Sequence, residues 1–374
     1  MHTVIVGGGV IGLATAWRAL AQGLAVTVVD PEPASRASYA SAGMLPPANE
    51  QLYDDEPLRR LYLASRDRYP SFVAELEEVS GRSTGHRRDG VLDVALDAAA
   101  VADLDRAHRF HKAHGIRTEA LTAEECRVYE PRFAPSVRGG LLAPDDGAVD
   151  PRRLTAALLA AVERLGGTLV TDRVTDVLIE GRATGVRLAG GGTVTGDRTV
   201  LAAGCWTHLL GGLPPGVVPE IRPVKGQILR LRSEEPFLHR TTRGLAGGSA
   251  VYLVPRADGE LVVGATYEER GYDTTVTAGG LAELLDKARA VLPEVTGLAF
   301  AEVSAALRPG SPDDRPLIGA TSVPDLLLAT GHFRIGVQLC AVTADALATV
   351  LSGDELPDAV RPFSPLRGDG VGTH

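Results

Sequence analysis

Three glycines near the start of the chain, together with an acid that follows them, form the motif with the clearest chemistry. Gly7, Gly9 and Gly12 are spaced as in a dinucleotide-binding turn, and Asp30 closes the apolar run that follows. The first glycine permits a tight turn, the second lets the backbone approach a pyrophosphate, and the third lets a helix pack closely on a sheet. The acid lies where a carboxylate can bind a ribose 2′-hydroxyl. The motif therefore predicts a bound dinucleotide.

The same acid narrows the class of cofactor. Asp30 would repel the 2′-phosphate of NADP, so that cofactor is disfavoured. NAD and FAD both remain open, because the motif alone does not separate them. The helix predicted after the turn would direct its N-terminus at the phosphates and favour their negative charge.

Composition excludes several classes of function. The chain has 374 residues, enough for two domains, and its 44% of hydrophobic and 23% of charged residues are ordinary for a globular protein. A net charge of −9 argues against nucleic acid or an anionic membrane as partner. Cys126, Cys205 and Cys340 are far apart and odd in number, which favours buried, reduced thiols. We expect a cytoplasmic protein without a signal peptide, since the first strand begins directly after Met1 and His2.

Two further patterns could suggest other chemistry. Residues 3–29 are nearly uncharged, but Arg18 and the glycine-rich turn interrupt them, so strand, helix and strand are predicted instead of a membrane span. His108, His111 and His114 are spaced three residues apart on a predicted helix, with arginines and a lysine among them. We expect a solvated basic face there and no metal site.

The elements that must position the turn come in two kinds. Patterns of strand and helix typical of a parallel α/β sheet occupy three separate segments, and the segments between them have an antiparallel-sheet composition. We predict a mixed α/β fold with a Rossmann-type domain of residues 1–80, 145–220 and 305–374. A substrate domain of residues 81–144 and 221–304 would be interleaved with it. Helices are predicted at 10–22, 58–79, 98–115, 122–129, 151–166, 281–292 and 337–351.

Nine short motifs, in this order and spacing, carry a resemblance to a known family. They span residues 7–12, 41–46, 202–206, 223–227, 252–255, 264–266, 308–309, 314–319 and 331–334. The chain resembles flavin-dependent amine oxidoreductases of the D-amino-acid oxidase family over essentially its whole length. The likeness is greatest to the glycine-oxidising members, which serve the synthesis of the thiamin thiazole.

The resemblance implies a cofactor, a fold and a reaction. Family members bind FAD non-covalently in a split Rossmann-type domain, and the antiparallel sheet of the substrate domain roofs the flavin. The reaction would be deamination of glycine, sarcosine and small D-amino acids by hydride transfer to FAD, with O₂ reoxidation giving H₂O₂. The matching cofactor positions are Gly7, Gly9, Val10, Ile11, Gly12, Asp30, Ser41, Ala42, Gly43, Met44, Val174, Ala203, Gly204, Trp206, Gly331, His332, Phe333, Arg334, Ile335, Gly336 and Val337.

Substrate chemistry gives roles to three residues. A carboxylate is best anchored by an arginine, because the guanidinium fork matches it bidentately. The resemblance places Arg308 in that role, and the alternative is a salt bridge from Arg308 to an internal acid. Tyr252 would be the second carboxylate ligand through its hydroxyl, or an ordinary aromatic of a sheet face. Arg334 contacts substrate or braces its loop, and bracing is favoured.

One departure from the family pattern bears on specificity. Ile335 stands where close relatives usually carry Asn, which predicts a drier site that favours apolar D-amino acids such as D-alanine or D-proline. Two other functions stay open: a D-amino-acid dehydrogenase or sarcosine-type oxidase, and a non-catalytic FAD-binding subunit of a multi-chain dehydrogenase. The expected partners are a small amino acid and O₂, with neither nucleic acid nor membrane, and a homo-oligomer is left open.

Overall fold

The computed structural model describes residues 1–45, 53–246 and 248–367. Pro46, the last residue of the second family motif, lies outside the described residues. The helices are α1 Val10–Ala21, α2 Arg36–Ala40, α3 Glu56–Ser80, α4 Ala98–Ala113, α5 Ala123–Tyr129, α6 Pro151–Arg164, α7 Ala278–Val291 and α8 Gly336–Leu351. The strands are β1 His2–Val6, β2 Ala25–Val29, β3 Met44–Leu45, β4 Val91–Ala95, β5 Glu119–Thr122, β6 Gly139–Ala143, β7 Gly147–Ala148, β8 Thr168–Val170, β9 Val174–Ile179, β10 Ala183–Leu188, β11 Thr193–Thr195, β12 Arg198–Leu201, β13 Arg222–Arg232, β14 Thr241–Ala246, β15 Ser249–Pro255, β16 Glu260–Gly264, β17 Ala299–Gly310, β18 Leu317–Ala320 and β19 Leu326–Thr330.

A six-stranded sheet carries the glycine-rich turn. Its order is β18-β19-β12-β1-β2-β8, and every neighbouring pair is parallel except β18 with β19. Helices α1, α3, α6 and α8 share one apolar core with this sheet, in which Trp17 and Phe72 pack edge to face. The three-stranded sheet β11-β10-β9 shares a second core with the strands. Cover on both faces explains why these strands are apolar throughout and do not alternate.

An eight-stranded sheet faces the turn from the other side of the molecule. Its order is β17-β13-β16-β15-β14-β4-β6-β5, and only β14 with β4 is parallel. Helix α7 packs on one of its faces through Leu284, Ala288 and Val291, which join a core with Leu229 and Val251. The opposite face is left to cover the cavity described below. We call this sheet the roof sheet.

Local capping explains where several helices begin. Asp150 accepts hydrogen bonds from the backbone N–H groups of Arg152 and Arg153, so α6 begins at Pro151, a residue suited to the first helical position. Thr122 and Glu125 form a reciprocal capping box at the start of α5. The mixed α/β class is confirmed, and all seven predicted helices are present with ends shifted by at most a few residues.

The predicted division into domains stays a prediction, and the membership of the two large sheets supports it. One predicted boundary does not match an element end: β17 belongs wholly to the roof sheet, and the boundary at residue 305 falls inside it. Arg308 therefore lies on a strand of the roof sheet, because β17 continues to Gly310 and its pairing with β13 is unbroken there.

The predicted basic histidine face is wrong at its central residue. His111 is 2% exposed, and it shares the inner side of α4 with Leu104 and Ala107. Burial lowers the pKa of His111 to about 4. In the described part of the chain no group of three His, Cys, Asp or Glu is placed to hold a metal ion. None of the described helices has the length and apolar character needed to cross a membrane.

Candidate cofactor and substrate site

A cavity of about 1100 Å³ lies between the glycine-rich turn and the roof sheet. Every predicted site residue lines it except Gly12 and Gly331. Its polar groups come from both sheets, with Gly7 and Asp30 at one end and Tyr252 and Arg308 under the roof. The fold therefore brings together residues more than 300 positions apart in the chain. A cavity of this volume is at the upper end of the range for small-molecule sites, which suits a dinucleotide together with a small substrate.

The glycine-rich turn has the conformation that the motif requires. Gly7 has a φ of +110°, and a Cβ there would lie 2.6 Å from the carbonyl carbon of Ala202. A Cβ on Gly12 would collide with the carbonyl oxygen of Gly7, so its absence lets α1 pack against the turn. Gly12 thus acts through packing, which explains why it does not line the cavity. At the start of α1, the N–H of Val10 donates to Ser38 Oγ at 2.9 Å.

Asp30 braces the turn as well as lining the cavity. Its Oδ2 accepts a hydrogen bond from the N–H of Gly8 at 2.7 Å, and its Oδ1 accepts one from the N–H of Glu32 at 2.7 Å. The carboxylate therefore fixes the loops that follow β1 and β2. Its predicted contact with a ribose stays a prediction.

Two buried arginines, Arg230 of β13 and Arg256 directly after β15, hold the segment 39–42, in which the second family motif begins. Arg230, 1% exposed, donates to the carbonyl oxygens of Tyr39 and Ser41 at 3.3 and 3.4 Å. Arg256 donates to the carbonyl oxygen of Ala42 at 2.6 Å, and burial lowers its pKa to about 10. Neither arginine was predicted from the sequence as a site residue. The available signal was a charged residue within or directly after an apolar strand, because a buried charge requires a hydrogen-bond partner.

The turn between β19 and α8 forms another wall of the cavity. Ile335 is the N-cap of α8 and offers no side-chain cap, so N–H groups of the first helical turn have no intrahelical partner. His332 is fully buried, its Nε2 lies 3.0 Å from Thr343 Oγ1, and burial lowers its pKa to about 3. The imidazole is therefore neutral at ordinary pH. Arg334 is exposed at the cavity, and Gly331 has a φ of +72°.

Arg308 presents its guanidinium under the roof sheet. Its Nη1 donates to the carbonyl oxygens of Lys225 and Thr266, and its Nη2 also donates to Thr266, all at 3.2 Å. Within the described residues it pairs with no carboxylate. The alternative of a salt bridge to an internal acid is therefore wrong for the part of the chain that the structure describes. Because no carboxylate of the described residues pairs with this guanidinium, its charge is available for an anion in the cavity.

Tyr252 lies beside this guanidinium, and its hydroxyl is hydrogen-bonded to it. A Cβ on Gly264 would lie 2.5 Å from Tyr252 Oη, and a Cβ on Gly226 would lie 2.5 Å from Arg308 Cζ. Each of the two side chains thus lies directly over a glycine of a neighbouring strand. Burial raises the pKa of Tyr252, and the charge of Arg308 opposes the shift only in part, so the phenol stays protonated as a donor. The role of the two glycines was not predicted from the sequence.

The residues present fit an FAD molecule. The turn leaves room for a pyrophosphate at Gly7 and Gly9, where bulkier residues would block its approach. The N-termini of α1 and α8 both line the cavity and supply N–H groups and positive dipole ends for anionic parts of a cofactor. Ser41, Ala42, Gly43 and Met44 form another part of the cavity wall. The chemistry of these donors suits an anionic dinucleotide.

Comparisons with known proteins agree with this geometry. Residues 2–350 match the family model described as DAO, FAD dependent oxidoreductase. The bifunctional protein ThiO/ThiG of Synechocystis sp. is 34% identical over 97% of this chain and 53% of its own length. The chain thus spans about half the length of this relative. Glycine oxidase of Geobacillus kaustophilus is 32% identical over 98% of this chain and 97% of its own. The crystal structure of glycine oxidase from the same organism aligns with a TM-score of 0.91 and 31% identity, covering 98% of this chain and 99% of that one.

Proposed function

The chain belongs to the DAO family of FAD-dependent oxidoreductases, and we propose that it oxidises glycine, sarcosine and small D-amino acids with O₂ as electron acceptor. One observation carries the proposal: Arg308, which pairs with no carboxylate of the described residues, and the phenol of Tyr252 both line the cavity that also contains the dinucleotide-binding turn. The likeness to glycine oxidase over nearly the whole of both chains supports the same substrate class.

Separate parts of the chain would hold separate parts of the cofactor. The turn at Gly7 and the start of α1 would hold the pyrophosphate, and Asp30 would hold a ribose. The segment from Ser41 to Met44 and the start of α8 would hold the flavin end. When bound, FAD supplies the acceptor for the two electrons of the Cα–H bond.

Residues under the roof sheet and at the start of α8 would bind and orient the substrate. Arg308 would bind the carboxylate by donating two hydrogen bonds from its guanidinium, and Tyr252 would donate a third hydrogen bond from its hydroxyl. Ile228 and Ile335, both buried, would exclude water from the substrate. Because the carboxylate would be held at two points, the Cα–H bond that reacts could point in only one direction. In that orientation an L side chain would occupy the place of the transferred hydrogen. Glycine, which has no side chain, fits either way.

The overall reaction balances without a protein acid or base. The amino acid and O₂ give the imino acid and H₂O₂, and water then releases the 2-oxo acid and ammonia, or methylamine when the substrate is sarcosine. From glycine the 2-oxo acid is glyoxylate. Because one half of the bifunctional ThiO/ThiG relative matches this chain, we place the reaction in the supply of the thiamin thiazole. The dry surroundings of Ile335 favour D-alanine or D-proline among the larger substrates.

Steady-state oxidation by the purified protein tests the proposal. An oxygen electrode would give the turnover efficiencies for glycine, sarcosine, D-alanine and L-alanine, with an artificial acceptor measured beside O₂. We expect activity on the first three with O₂ and little on L-alanine. Strong L-alanine activity would overturn the proposed substrate class, and activity with the artificial acceptor alone would favour a dehydrogenase. No activity with either acceptor would favour the non-catalytic subunit.

Removal of the anchor tests the observation that carries the proposal. Arg308→Ala should retain FAD but lose on the order of 10²-fold or more in kcat/KM for glycine, because a buried charged contact of roughly 3–5 kcal/mol is lost. Arg289→Ala, which removes an exposed arginine of α7, is the matched control. Equal efficiency of Arg308→Ala and the control would show that Arg308 is structural.

A further inference from the structure

The roof sheet carries a cluster of buried polar side chains on the face turned away from the cavity. Along β13, Gly226 and Ile228 line the cavity, so the alternating residues Lys225 and Gln227 point to the other face. Lys225 is 1% exposed and Gln227 fully buried. Buried polar groups are costly unless they are hydrogen-bonded, so this cluster requires a structural or functional reason.

Glu268 is the common partner of the cluster. Its Oε1 accepts hydrogen bonds from Gln227 Nε2 and from Thr266 Oγ1, both at 2.7 Å. Its Oε2 lies 3.3 Å from Lys225 Nζ. The backbones of Lys225 and Glu268 also exchange two hydrogen bonds, of 2.9 and 3.0 Å. Burial opposes the charge of Glu268, but the hydrogen bonds from Gln227, Thr266 and Lys225 outweigh it and lower its pKa.

The backbone connects this cluster to the substrate anchor. The two carbonyl oxygens that receive hydrogen bonds from Arg308 belong to Lys225 and Thr266. Both residues bind Glu268 through their side chains. The orientation of the guanidinium on one face of the sheet is therefore set by residues whose positions depend on a carboxylate on the other face.

We propose that Glu268 is a positioning residue that fixes the carbonyls of Lys225 and Thr266, orients Arg308, and thereby sets the affinity of the site for the substrate carboxylate. The inference rests on the proposed role of Arg308 as the anchor. Glu268 acts only through Arg308, since it does not line the cavity. Its effect should therefore appear in carboxylate binding and disappear when Arg308 is absent.

Titration of the FAD-loaded enzyme with acetate tests this inference. Acetate carries the carboxylate without the amine, and its binding is measured from the change in flavin absorbance. We expect Glu268→Gln to raise the Kd of acetate and the KM of glycine together by about tenfold, less than the roughly 10²-fold that a displacement of 1 Å can cost. FAD content and kcat should stay within about twofold of the wild type. Glu269→Gln, which alters the neighbouring exposed acid that pairs with Arg222, is the matched control and should change neither constant.

A double variant separates positioning from plain stability. In an Arg308→Ala background, Glu268→Gln should not weaken acetate binding further. A Glu268→Gln enzyme with a lower Tm and an unchanged acetate Kd would show a merely structural role and overturn the inference. If Arg308→Ala itself leaves the acetate Kd unchanged, the proposed anchor fails and this inference fails with it. If Glu268→Gln does not fold, Lys225→Met removes the ion pair to the same carboxylate, and an unchanged acetate Kd in that variant would equally overturn the inference.

Discussion

Replacement of Gly226 by alanine should disable the proposed carboxylate anchor by displacing the side chain of Arg308. The added Cβ would lie 2.5 Å from Cζ and 2.6 Å from Nη1 of Arg308. Non-bonded heavy atoms require about 3.5 Å, so the guanidinium must move by about 1 Å. The strand cannot retreat instead, because β13 is hydrogen-bonded on both sides, to β17 and β16.

The magnitude follows from the displacement. A misplacement of about 1 Å in a binding group can cost on the order of 10²-fold in rate, which corresponds to about 2.7 kcal/mol at 1.36 kcal/mol per factor of ten. The loss should be similar in kcat/KM for glycine and in the affinity for acetate, since both depend on the same fork. The fold should tolerate the change, because Gly226 does not have a positive φ.

The assay compares Gly226→Ala with Gly279→Ala. A Cβ on Gly279, a residue of α7, meets nothing within 4 Å, so this second variant should be neutral or slightly stabilising. Both proteins would be purified with FAD, and kcat/KM for glycine and the acetate Kd would be measured. A fully active Gly226→Ala enzyme would refute the claim that Arg308 must occupy its observed position.

Two other variants probe the cofactor end and the effect of pH. Asp30→Ala removes the acceptor of the Gly8 and Glu32 N–H groups, so the free energy of FAD binding should weaken by roughly 1.5–3 kcal/mol. The fluorescence of released FAD measures this loss. Unchanged retention of FAD by the variant would contradict the prediction. Burial lowers the pKa of His332 to about 3 in the folded chain, from 6.5 in the unfolded chain. As the pH drops, the unfolded chain therefore takes up a proton first. The free energy of unfolding then falls between about pH 6.5 and pH 3, by up to about 1.4 kcal/mol per pH unit. His332→Gln should reduce the difference between urea midpoints at pH 7.5 and 4.5, and an unchanged difference would exclude His332 as its source.

Local signals predicted much of the fold. Helix α6 was predicted because Asp150 and Pro151 form a helix start that depends on no distant residue. Strand β6 was not predicted, since it contains two glycines and is a strand only through its pairing with β4 and β5. A Cβ on Gly140 would lie 2.7 Å from Cys126 Sγ, a contact with no local sign.

The error at His111 has a different cause. Leu104, Ala107 and His111 lie at i, i+3 and i+7 of α4, the spacing of a buried helical stripe. The prediction was based on the spacing of the three histidines and on the basic residues among them. It did not consider the apolar stripe that includes His111. Periodicity over the whole helix would have placed the residue correctly, so in this case the sequence held the information.

The surroundings of Arg308 show where sequence patterns mislead. Along β13 the residues Lys225, Gly226 and Gln227 alternate polar, small and polar, a pattern typical of a strand whose polar face meets solvent. In the structure that polar face is covered by α7, where a Cβ on Gly280 would lie 2.6 Å from Gln227 Cδ, and by the segment that contains Glu268. Gly226 faces the cavity, where the side chain of Arg308 occupies the space above it. Arg308 lies 82 positions later in the chain and is brought near only by strand pairing. The role of Gly226 therefore depends on the pairing of β13 with β17. A sequence motif can reveal this role only through resemblance to proteins that have the same pairing.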